Sequence, residues 1–486
     1  MRVALTGAGS DLGRAIAASL GDGHDVVAVD DALAASLTAG EPMAFPEGCA
    51  VVVHAAMHPA WWPGAAARDD SAALDWCGRG TYALLTAALA AGVKRIVLAS
   101  TLALFEAYPA GWRIQEGWKP RPSTALVELG PYVAEVSARE VARARDVAVV
   151  CLRLERLAGL EDGGTLPVGE AAASIVSALT DDAARGARGG WRAVHVGSPA
   201  DPRPARSMVG DDGRLRPTVW TAPRDIQRVS VFGAGGPVGA AAAPHLAEAY
   251  TLRLTDLLSA DESAASVSER FPHAPVPADL GAPHAWERVD VSDWEAVRAA
   301  ARGADALANF TVNRTHAVYA FKVNTLGAYH VVRAAAELGI RRVIHTGPQI
   351  LNHDHPAGYG ADYDLPDEAP PRPGDNLYFH AKLLGYEVCR VFAEQCDLEL
   401  IALLFSTFVD PERPGRMAGR LGPAAVGWDD AGRAVRAALD VKSLPTCFEP
   451  VRVLGDLPHG KYSNAKARRV LGWEPRQSLA HLWKNG

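Results

Sequence analysis

The sequence predicts an α/β protein of two tandem domains, each built on a doubly wound parallel sheet. Three observations support this prediction. Short β-branched runs alternate with Ala- and Leu-rich helical segments, which is the pattern of βαβ units. The chain has 486 residues, more than one hydrophobic core usually supports. The motifs of the first half also recur in the second half in the same order.

Three pairs of segments define this repeat. RVALTGAGSDLGRAIAASL near the N-terminus resembles RVSVFGAGGPVGAAAAPHL, which begins at Arg228. GTYALLTAALAAGVKRIVLAS resembles GAYHVVRAAAELGIRRVIHTG, and GPYVAEVSARE resembles NLYFHAKLLGYE. The second copy carries an insertion, residues 259–293, after its first turn. We therefore predict a domain at 1–200, a Pro/Arg/Gly-rich linker at 201–226 and a domain at 227–486, each domain ending in a small substrate-binding portion.

Each half contains five short runs of apolar residues with the composition of strands buried on both faces. In the first half they are Val3–Thr6, Val26–Val29, Val51–His54, Ile96–Ala99 and Val149–Leu152. In the second half they are Val229–Phe232, Leu252–Thr255, Ala306–Phe310, Val343–His345 and Leu400–Leu404.

Composition and charge argue against several classes of protein. The formal net charge is −7 and no basic stripe is present, which disfavours a nucleic-acid or anionic-membrane partner. Six scattered cysteines form no CxxC pair, as expected for a reduced, cytoplasmic protein. Asp11 and Arg14 interrupt the apolar N-terminus, so it is not interpreted as a signal peptide, and no apolar run predicts a membrane span.

The glycine turn of the second half is typical of a dinucleotide site. In VSVFGAGGPVG, the glycines stand between a strand and a helix, where they permit close approach of a pyrophosphate to the helix N-terminus. The next strand ends in an acidic residue, where a carboxylate binds a ribose diol and disfavours a 2′-phosphate. The predicted cofactor-binding residues here are Gly233, Gly235, Gly236, Val238, Gly239 and Asp256.

The equivalent turn of the first half, VALTGAGSDLG, is less complete. It keeps Gly7, Gly9 and Gly13, but Ser10 stands at the place of the third glycine of the second half. Asp30 ends the next strand. These residues are candidates for binding a nucleotide, and a turn kept only for packing is the alternative.

Both halves resemble the extended short-chain dehydrogenase/reductases, the NAD-dependent epimerase/dehydratase family. The resemblance is carried by the glycine turns, the acid after the second strand, DVSD, NxxG before a helix, YxxxK and a late LGWEP. It covers most of both halves, and the second half looks most similar to short members such as uronate dehydrogenase. It implies Rossmann-like domains, an NAD cofactor, and an oxidoreductase or epimerase acting on a sugar, uronate or sugar-nucleotide hydroxyl.

The resemblance also implies roles for individual residues of the second half. Tyr378 would be the general acid/base, and Lys382 would lower its pKa and bind the nicotinamide ribose. Residues four apart share a helix face, and a nearby cation favours the phenolate. Asn324 would hold the active-site helix and its proton relay, and Asp290 and Val291 would lie beside the adenine.

One position of the second half departs from the family pattern. The family places a Ser or Thr near the end of the fifth strand, where its hydroxyl binds the substrate oxygen. Alignment of the two halves puts Pro348 at that position, and proline has no hydroxyl. Thr346 or Gln349 is the candidate substitute.

The first half departs in a complementary way. Ser100, Thr101 and Tyr132 are present, but Val136 replaces the lysine and Cys77 stands where the second half has Asn324. Without the lysine the tyrosine is a poor base at neutral pH. We therefore interpret the first half as a non-catalytic pseudo-copy.

Several alternatives to a working enzyme remain. The rival function is a decayed tandem protein that serves as a nucleotide-binding sensor or scaffold. The long Tyr-bearing helices of such enzymes commonly pair between subunits, so a homodimer or an internal pseudo-dimer is expected. His353, Asp354 and His355 have a weak metal-ligand spacing, but we expect no metal, and packing is the favoured role of Trp61 and Trp62.

Overall fold

The computed structural model shows two α/β units with Rossmann-like sheets, which confirms the predicted fold class. The first unit comprises Met1–Val219 with Gly374–Asn376, and the second comprises Trp220–Pro373 with Leu377–Gly486. Most of the predicted linker lies outside the described residues. The structure describes residues 1–55, 69–109, 112, 114–180, 190–197, 225–348, 365–458 and 461–483.

The first unit contains a parallel sheet with helices on both faces. Its strands are β1 (Arg2–Thr6), β2 (Asp25–Ala28), β3 (Val51–His54), β4 (Arg95–Thr101), β5 (Ala148–Leu154) and β6 (Trp191–Val196). Its helices are α1 (Asp11–Leu20), α2 (Asp30–Ala39), α3 (Asp70–Asp75), α4 (Thr81–Ala90), α5 (Leu126–Ala144) and α6 (Val168–Ala178). The strand order is β2-β1-β3-β4-β5-β6.

Strand β3 shows why this sheet needs helices on both faces. Val51 and Val53 pack into one hydrophobic cluster, whereas Val52, between them, packs into the other. Successive side chains of a strand point to opposite faces, so a continuous valine run requires apolar partners on each side. The helices of this unit supply those partners.

The second unit contains a larger sheet and a short two-stranded parallel sheet. Its strands are β7 (Arg228–Phe232), β8 (Thr251–Asp256), β9 (Ala285–Arg288), β10 (Ala306–Asn309), β11 (Arg342–Pro348), β12 (Glu399–Phe405), β13 (Thr407–Val409), β14 (Ala425–Gly427) and β15 (Phe448–Arg452). Its helices are α7 (Pro237–Ala247), α8 (Ala260–Arg270), α9 (Trp294–Ala301), α10 (Ala317–Phe321), α11 (Gly327–Leu338), α12 (Leu377–Gln395), α13 (Trp428–Asp440) and α14 (Ala465–Leu471). The strand order is β9-β8-β7-β10-β11-β12-β15, and β13 pairs with β14.

The insertion at residues 259–293 adds an edge strand to the second sheet. It contains helix α8, which begins with a capping box between Ser259 and Glu262, and then strand β9. The first unit runs from α2 to β3 without such a strand. Strands β6, β9, β13, β14 and β15 were not among the predicted runs. Of these, β6 and β9 lie at sheet edges and have partly exposed side chains. None of the described helices has the length and apolar character needed to cross a membrane.

Candidate active site

The glycine turn of the second unit joins β7 to α7 and brings the backbone close to its neighbours. Gly233 has a φ of +82°, and a Cβ there would lie 2.7 Å from the backbone nitrogen of Thr311. A Cβ on Gly235 would lie 2.4 Å from Oγ of Ser263. A side chain at either position would therefore crowd neighbouring parts of the same unit, which favours glycine at both.

Asp256, the last residue of β8, faces this turn. Its Oδ2 accepts a hydrogen bond of 2.9 Å from the backbone N–H of Gly235. Burial raises the pKa of this carboxyl, and the hydrogen bonds from backbone N–H groups partly offset that rise. Beside it the buried hydroxyl of Ser263 has no hydrogen-bond partner among the described residues, and the side chain of Leu257 is 61% exposed.

The N-termini of helices α1 and α7 differ in one respect that matters for anion binding. In the first unit, Oγ of Ser10 accepts a hydrogen bond of 3.0 Å from the N–H of Gly13 and donates one of 2.6 Å to the carbonyl of Gly7. In the second unit, the N-cap residue is Gly236, which has no side chain to make such a bond. Helix α7 begins with Pro237, which has no N–H, but no described side chain caps the N–H groups that follow, so these are available for an anion.

Asp30 accepts two hydrogen bonds from the backbone of the first glycine turn, whereas Asp256 accepts one from the second. One oxygen of the Asp30 carboxylate accepts from the N–H of Gly7 at 2.7 Å, and the other accepts from the N–H of Ala8 at 3.1 Å. Two backbone donors that would otherwise face a ligand are thus bound within the first unit. Gly9 lies in the same turn, between Ala8 and Ser10.

A cavity of about 540 Å³ in the second unit contains the tyrosine–lysine pair. Tyr378 and Lys382 lie on helix α12, one turn apart, and both line the cavity. Val238, from the start of helix α7, lines the same cavity. The glycine turn and the pair are therefore neighbours in space, although more than a hundred residues separate them.

Lys382 is buried and is held by the backbone at the ends of two strands. Its Nζ donates to the carbonyl oxygens of Thr311, at 2.9 Å, and Thr346, at 3.2 Å. Burial, and after it the positive charge of Arg314, lowers the pKa of Lys382 to about 7. The ammonium of Lys382 is thus fixed between the chain after β10 and the last residues of β11.

The guanidinium of Arg314, a residue that the sequence analysis did not single out, lies over the ring of Tyr378. The guanidinium carbon lies 5.4 Å from the ring centroid. Burial raises the pKa of the Tyr378 phenol, and the charge of Arg314 partly offsets the rise. The resemblance assigns the lowering of this pKa to Lys382, whereas here a loop arginine supplies the nearby charge.

Asn324 lies in a π-helical turn, Lys322–Leu326, between α10 and α11. Its Nδ2 donates to the carbonyl of Asn313 at 2.7 Å, and its Oδ1 accepts from the N–H of Asn313 at 3.2 Å. The side chain is buried. It therefore fixes the loop after β10, the loop that carries Arg314.

Four residues at or just beyond the ends of β11 and β12 bear on the hydroxyl that Pro348 cannot supply. Pro348 lines the cavity, as the alignment anticipated, and Gln349 lies outside the described residues. Thr346 also lines it, but its Oγ1 donates at 3.1 Å to the carbonyl of Asn309. Ser406, directly after β12, is an exposed residue that lines the same cavity, and it was not predicted.

The remaining predicted residues, Asp290 and Val291, are consecutive residues of the loop after β9. Asp290 is exposed and accepts hydrogen bonds from the N–H and the hydroxyl of Ser292, both at 2.8 Å. Val291 is buried, its carbonyl accepts from Nδ1 of His330 at 2.8 Å if that nitrogen carries the proton, and a Cβ on Gly327 would lie 2.9 Å from its Cγ2. Gly327 thus lets helix α11 approach this loop closely.

No cluster of three or more His, Cys, Asp or Glu side chains in the described ranges could hold a metal ion. His353, Asp354 and His355 lie outside those ranges, as do Trp61 and Trp62. His345 is buried in β11, and burial together with the charge of Lys382 lowers its pKa to about 3.

In the first unit a buried ion pair lies where the second unit has its lysine helix. Glu135 on α5 binds Arg153 on β5, with Nη2 and Oε2 2.9 Å apart, and accepts a hydrogen bond of 2.6 Å from Ser100. Thr101 accepts from the N–H of Ala103 at 3.1 Å. Tyr132, Val136 and Cys77 are all buried.

Comparison with known proteins gives a family match for part of the chain. Residues 229–427 match the NAD dependent epimerase/dehydratase family. No curated protein matches the chain significantly.

Similar solved structures include uronate dehydrogenase from Agrobacterium tumefaciens (21% identity, 52% of this chain, 85% of that chain, TM-score 0.41). Glucuronic acid dehydrogenase from Chromohalobacter salexigens has 23% identity, 52% and 85% coverage, and a TM-score of 0.41. UDP-glucuronic acid 4-epimerase from Bacillus cereus, in complex with NAD, has 16% identity, 52% and 95% coverage, and a TM-score of 0.41.

Proposed function

We propose that the second unit is an NAD-dependent oxidoreductase or epimerase that acts on a hydroxyl of a sugar-type substrate. One observation carries the proposal: a single cavity is lined by Val238 beside the glycine turn and by Tyr378 and Lys382 of helix α12. The match of residues 229–427 to the NAD dependent epimerase/dehydratase family supports it. A cofactor site and a proton-exchanging group therefore share one space.

The residues around the glycine turn fit NAD. The uncapped N-terminus of α7 offers N–H groups to the pyrophosphate, and the carboxylate of Asp256 and the unpartnered hydroxyl of Ser263 suit a ribose diol. Asp290 and Val291 would flank the adenine, and Lys382 would hold the nicotinamide ribose. NAD, when bound, supplies the hydride acceptor for the carbon that bears the reacting hydroxyl.

Tyr378 would exchange the proton of that hydroxyl. Its phenol is largely buried at the cavity wall, and burial alone favours the neutral form. The positive charge of Arg314 favours the phenolate, which is the form that takes the proton from the substrate hydroxyl. Lys382 and Asn324 are held by backbone carbonyls, so they keep the helix and the loop in place during the exchange.

The test is formation of NADH from a panel of sugars, sugar acids and sugar nucleotides. Tyr378→Phe should abolish turnover while retaining NAD binding, because the ring remains and only the exchangeable proton is lost. Tyr386→Phe, at a half-buried tyrosine two turns along the same helix, is the matched control and should turn over normally. Turnover that survives Tyr378→Phe would refute the assigned role.

For the first unit we propose a non-catalytic copy of the same fold. Its lysine position is Val136, and the neighbouring Glu135 binds Ser100 and Arg153. A tandem origin is supported by two shared features: each unit has a π-helical turn before a helix, at Trp76–Gly80 and Lys322–Leu326, and each has a carboxylate bonded to its glycine turn. The first unit would then serve structure rather than chemistry.

A nucleotide sensor is the second candidate, and Pro348 is the observation that favours it. Without a hydroxyl at this position, the cavity offers the substrate oxygen one partner fewer than the family pattern provides. Measurable NAD binding with no turnover on any member of the panel would favour the sensor over the enzyme.

A further inference from the structure

The cavity around Tyr378 has an excess of positive charge. Its described lining includes Arg314 and Lys382 and contains no Asp or Glu. The ammonium of Lys382 is already bonded to two backbone carbonyls. The guanidinium of Arg314, by contrast, has no carboxylate within ion-pair distance among the residues that the structure describes, and the residue is exposed.

Arg314 is also held in position by its own loop. Both backbone groups of the preceding Asn313 are bonded to the buried Asn324 side chain, and Oδ1 of Asn313 accepts from the N–H of His316 at 3.2 Å. His316 in turn caps helix α10, where its Nδ1 accepts from the N–H of Val318 at 3.2 Å. The turn is therefore fixed on both sides of Arg314, which reduces the entropy that binding a ligand there would cost.

The position of the guanidinium relates it to the reacting hydroxyl. It lies over the Tyr378 ring, 5.4 Å from the centroid, at the wall of the cavity. A group bound by this arginine would therefore lie beside the substrate oxygen that exchanges its proton with Tyr378. The planar fork of an arginine pairs best with a carboxylate or a phosphate, which it binds through two parallel hydrogen bonds.

We propose that Arg314 binds an anionic group of the substrate and makes the second unit selective for acidic sugars. The shared chemistry is a carboxylate, as in a sugar acid, or a phosphate ester, as in a sugar phosphate. This inference rests on the proposed function, because it assumes that the substrate binds in this cavity. Lys382 holds the cofactor side of the cavity, and Arg314 holds the anionic end of the substrate.

The experiment compares D-glucuronate, D-glucose 6-phosphate and D-glucose as substrates, by kcat/KM for NADH formation. Arg314→Met should lower kcat/KM for the acidic sugars by about 10- to 150-fold, the loss expected for a hydrogen bond to a charged group. The rate with glucose should stay low and nearly unchanged. Arg302→Met, at an exposed arginine outside the cavity, is the control and should match the unmodified protein. Whichever acidic sugar shows the effect identifies carboxylate or phosphate as the anion.

A second arm keeps the inference testable if no sugar is turned over. Binding of glucuronate and of inorganic phosphate to the NAD-loaded Tyr378→Phe protein is measured by calorimetry, with and without Arg314→Met. Anion binding that depends on Arg314, without turnover by the unmodified protein, supports the anion site and refutes the proposed enzyme. Equal use of glucose and its acid, no anion binding in the calorimeter, or weakened NAD binding as the only effect of Arg314→Met would overturn the inference.

Discussion

The hydroxyl of Ser100 donates a hydrogen bond of 2.6 Å to Oε1 of Glu135, inside the first unit. The same carboxylate forms a buried ion pair with Arg153, whose side chain is 5% exposed. The serine that would face a substrate in a working copy is thus bonded to an internal charge network. In the non-catalytic first unit that we propose, this bond gives Ser100 a structural role.

We expect Glu135→Gln to destabilise the first unit by about 3–5 kcal/mol, since it leaves the buried guanidinium of Arg153 without its counter-charge. Hydrogen exchange of peptides from β4 and β5, read by mass spectrometry, localises the effect. Asp146→Asn breaks the exposed pair with Lys94 and should change exchange very little. Equal protection in both variants would show that the buried pair contributes no net stability.

The second prediction concerns the glycine at the start of helix α7. Gly236→Ser should weaken NAD binding by about tenfold or more, because a hydroxyl there can bond the N–H of Gly239 as Ser10 bonds Gly13. The backbone accommodates the change: a Cβ at Gly236 meets only the carbonyl of Gly233, at 3.7 Å. Fluorescence titration with NADH measures the effect.

Gly236→Ala separates the hydroxyl from the added carbon in this experiment. It introduces the same Cβ and should retain most of the affinity. If both variants bind NADH equally poorly, the added Cβ rather than a hydrogen bond from the hydroxyl causes the loss. The difference between Ser10 and Gly236 at the two helix N-termini would then not explain a difference in anion binding.

The sequence predicted those parts of the site that depend on local patterns. The glycine turn, Asp256 and the Tyr378–Lys382 pair each follow from neighbours along the chain, and the five apolar runs of each half follow from burial on both sheet faces. Arg314 and Ser406 could not be found in this way. Each lies in a loop after a different strand, and only the parallel sheet brings those strand ends to one cavity.

The buried ion pair of the first unit could not be predicted from the sequence either. Val136 showed that the lysine is absent from the first half. Glu135 and Arg153, however, lie on a helix and a strand that are separate in the sequence, and nothing in the sequence indicates that they form a pair. Their ion pair depends on the packing of α5 against β5, which is part of the tertiary structure. The edge strand β6 has partly exposed side chains throughout, so its pattern carried little signal.

The third prediction follows from the lowered pKa of Lys382. Between about 7 in the folded protein and the ordinary lysine value near 10.4, the unfolded chain binds a proton that the folded chain does not. The free energy of unfolding therefore rises with pH across this window. Below the window Lys382 is charged in the folded protein, and burial of that charge lowers the free energy of unfolding. Lys382→Met removes this dependence, so its stability relative to the unmodified protein should be most favourable at pH 6 and least favourable at pH 10.

Urea unfolding at pH 6, 8 and 10 measures this difference. Lys442→Met, at an exposed lysine of the same unit, is the control and should show no such trend. A difference for Lys382→Met that stays constant with pH would mean that the lysine keeps its proton throughout, held by the carbonyls of Thr311 and Thr346.

The last prediction asks which hydroxyl replaces the one missing at Pro348. Strands β11 and β12 pair in parallel with Pro348 opposite Phe405, so Ser406 lies one residue beyond the partner of the proline. Ser406 is exposed and lines the cavity, whereas the hydroxyl of Thr346 is bonded to the carbonyl of Asn309. We expect Ser406→Ala to lower kcat by about 10- to 150-fold through the loss of a hydrogen bond to the reacting oxygen.

Thr346→Val is the matched variant, because it removes a hydroxyl of the same cavity without changing the shape of the side chain. It should lower the free energy of unfolding by about 1–3 kcal/mol, as it leaves the buried carbonyl of Asn309 without that donor, and should change kcat little. Comparison of kcat with urea unfolding for both variants distinguishes the two roles. The reverse outcome, with turnover lost only in Thr346→Val, would assign the substrate hydrogen bond to the strand that carries Pro348, because the substrate oxygen would then lie over β11 rather than over the end of β12.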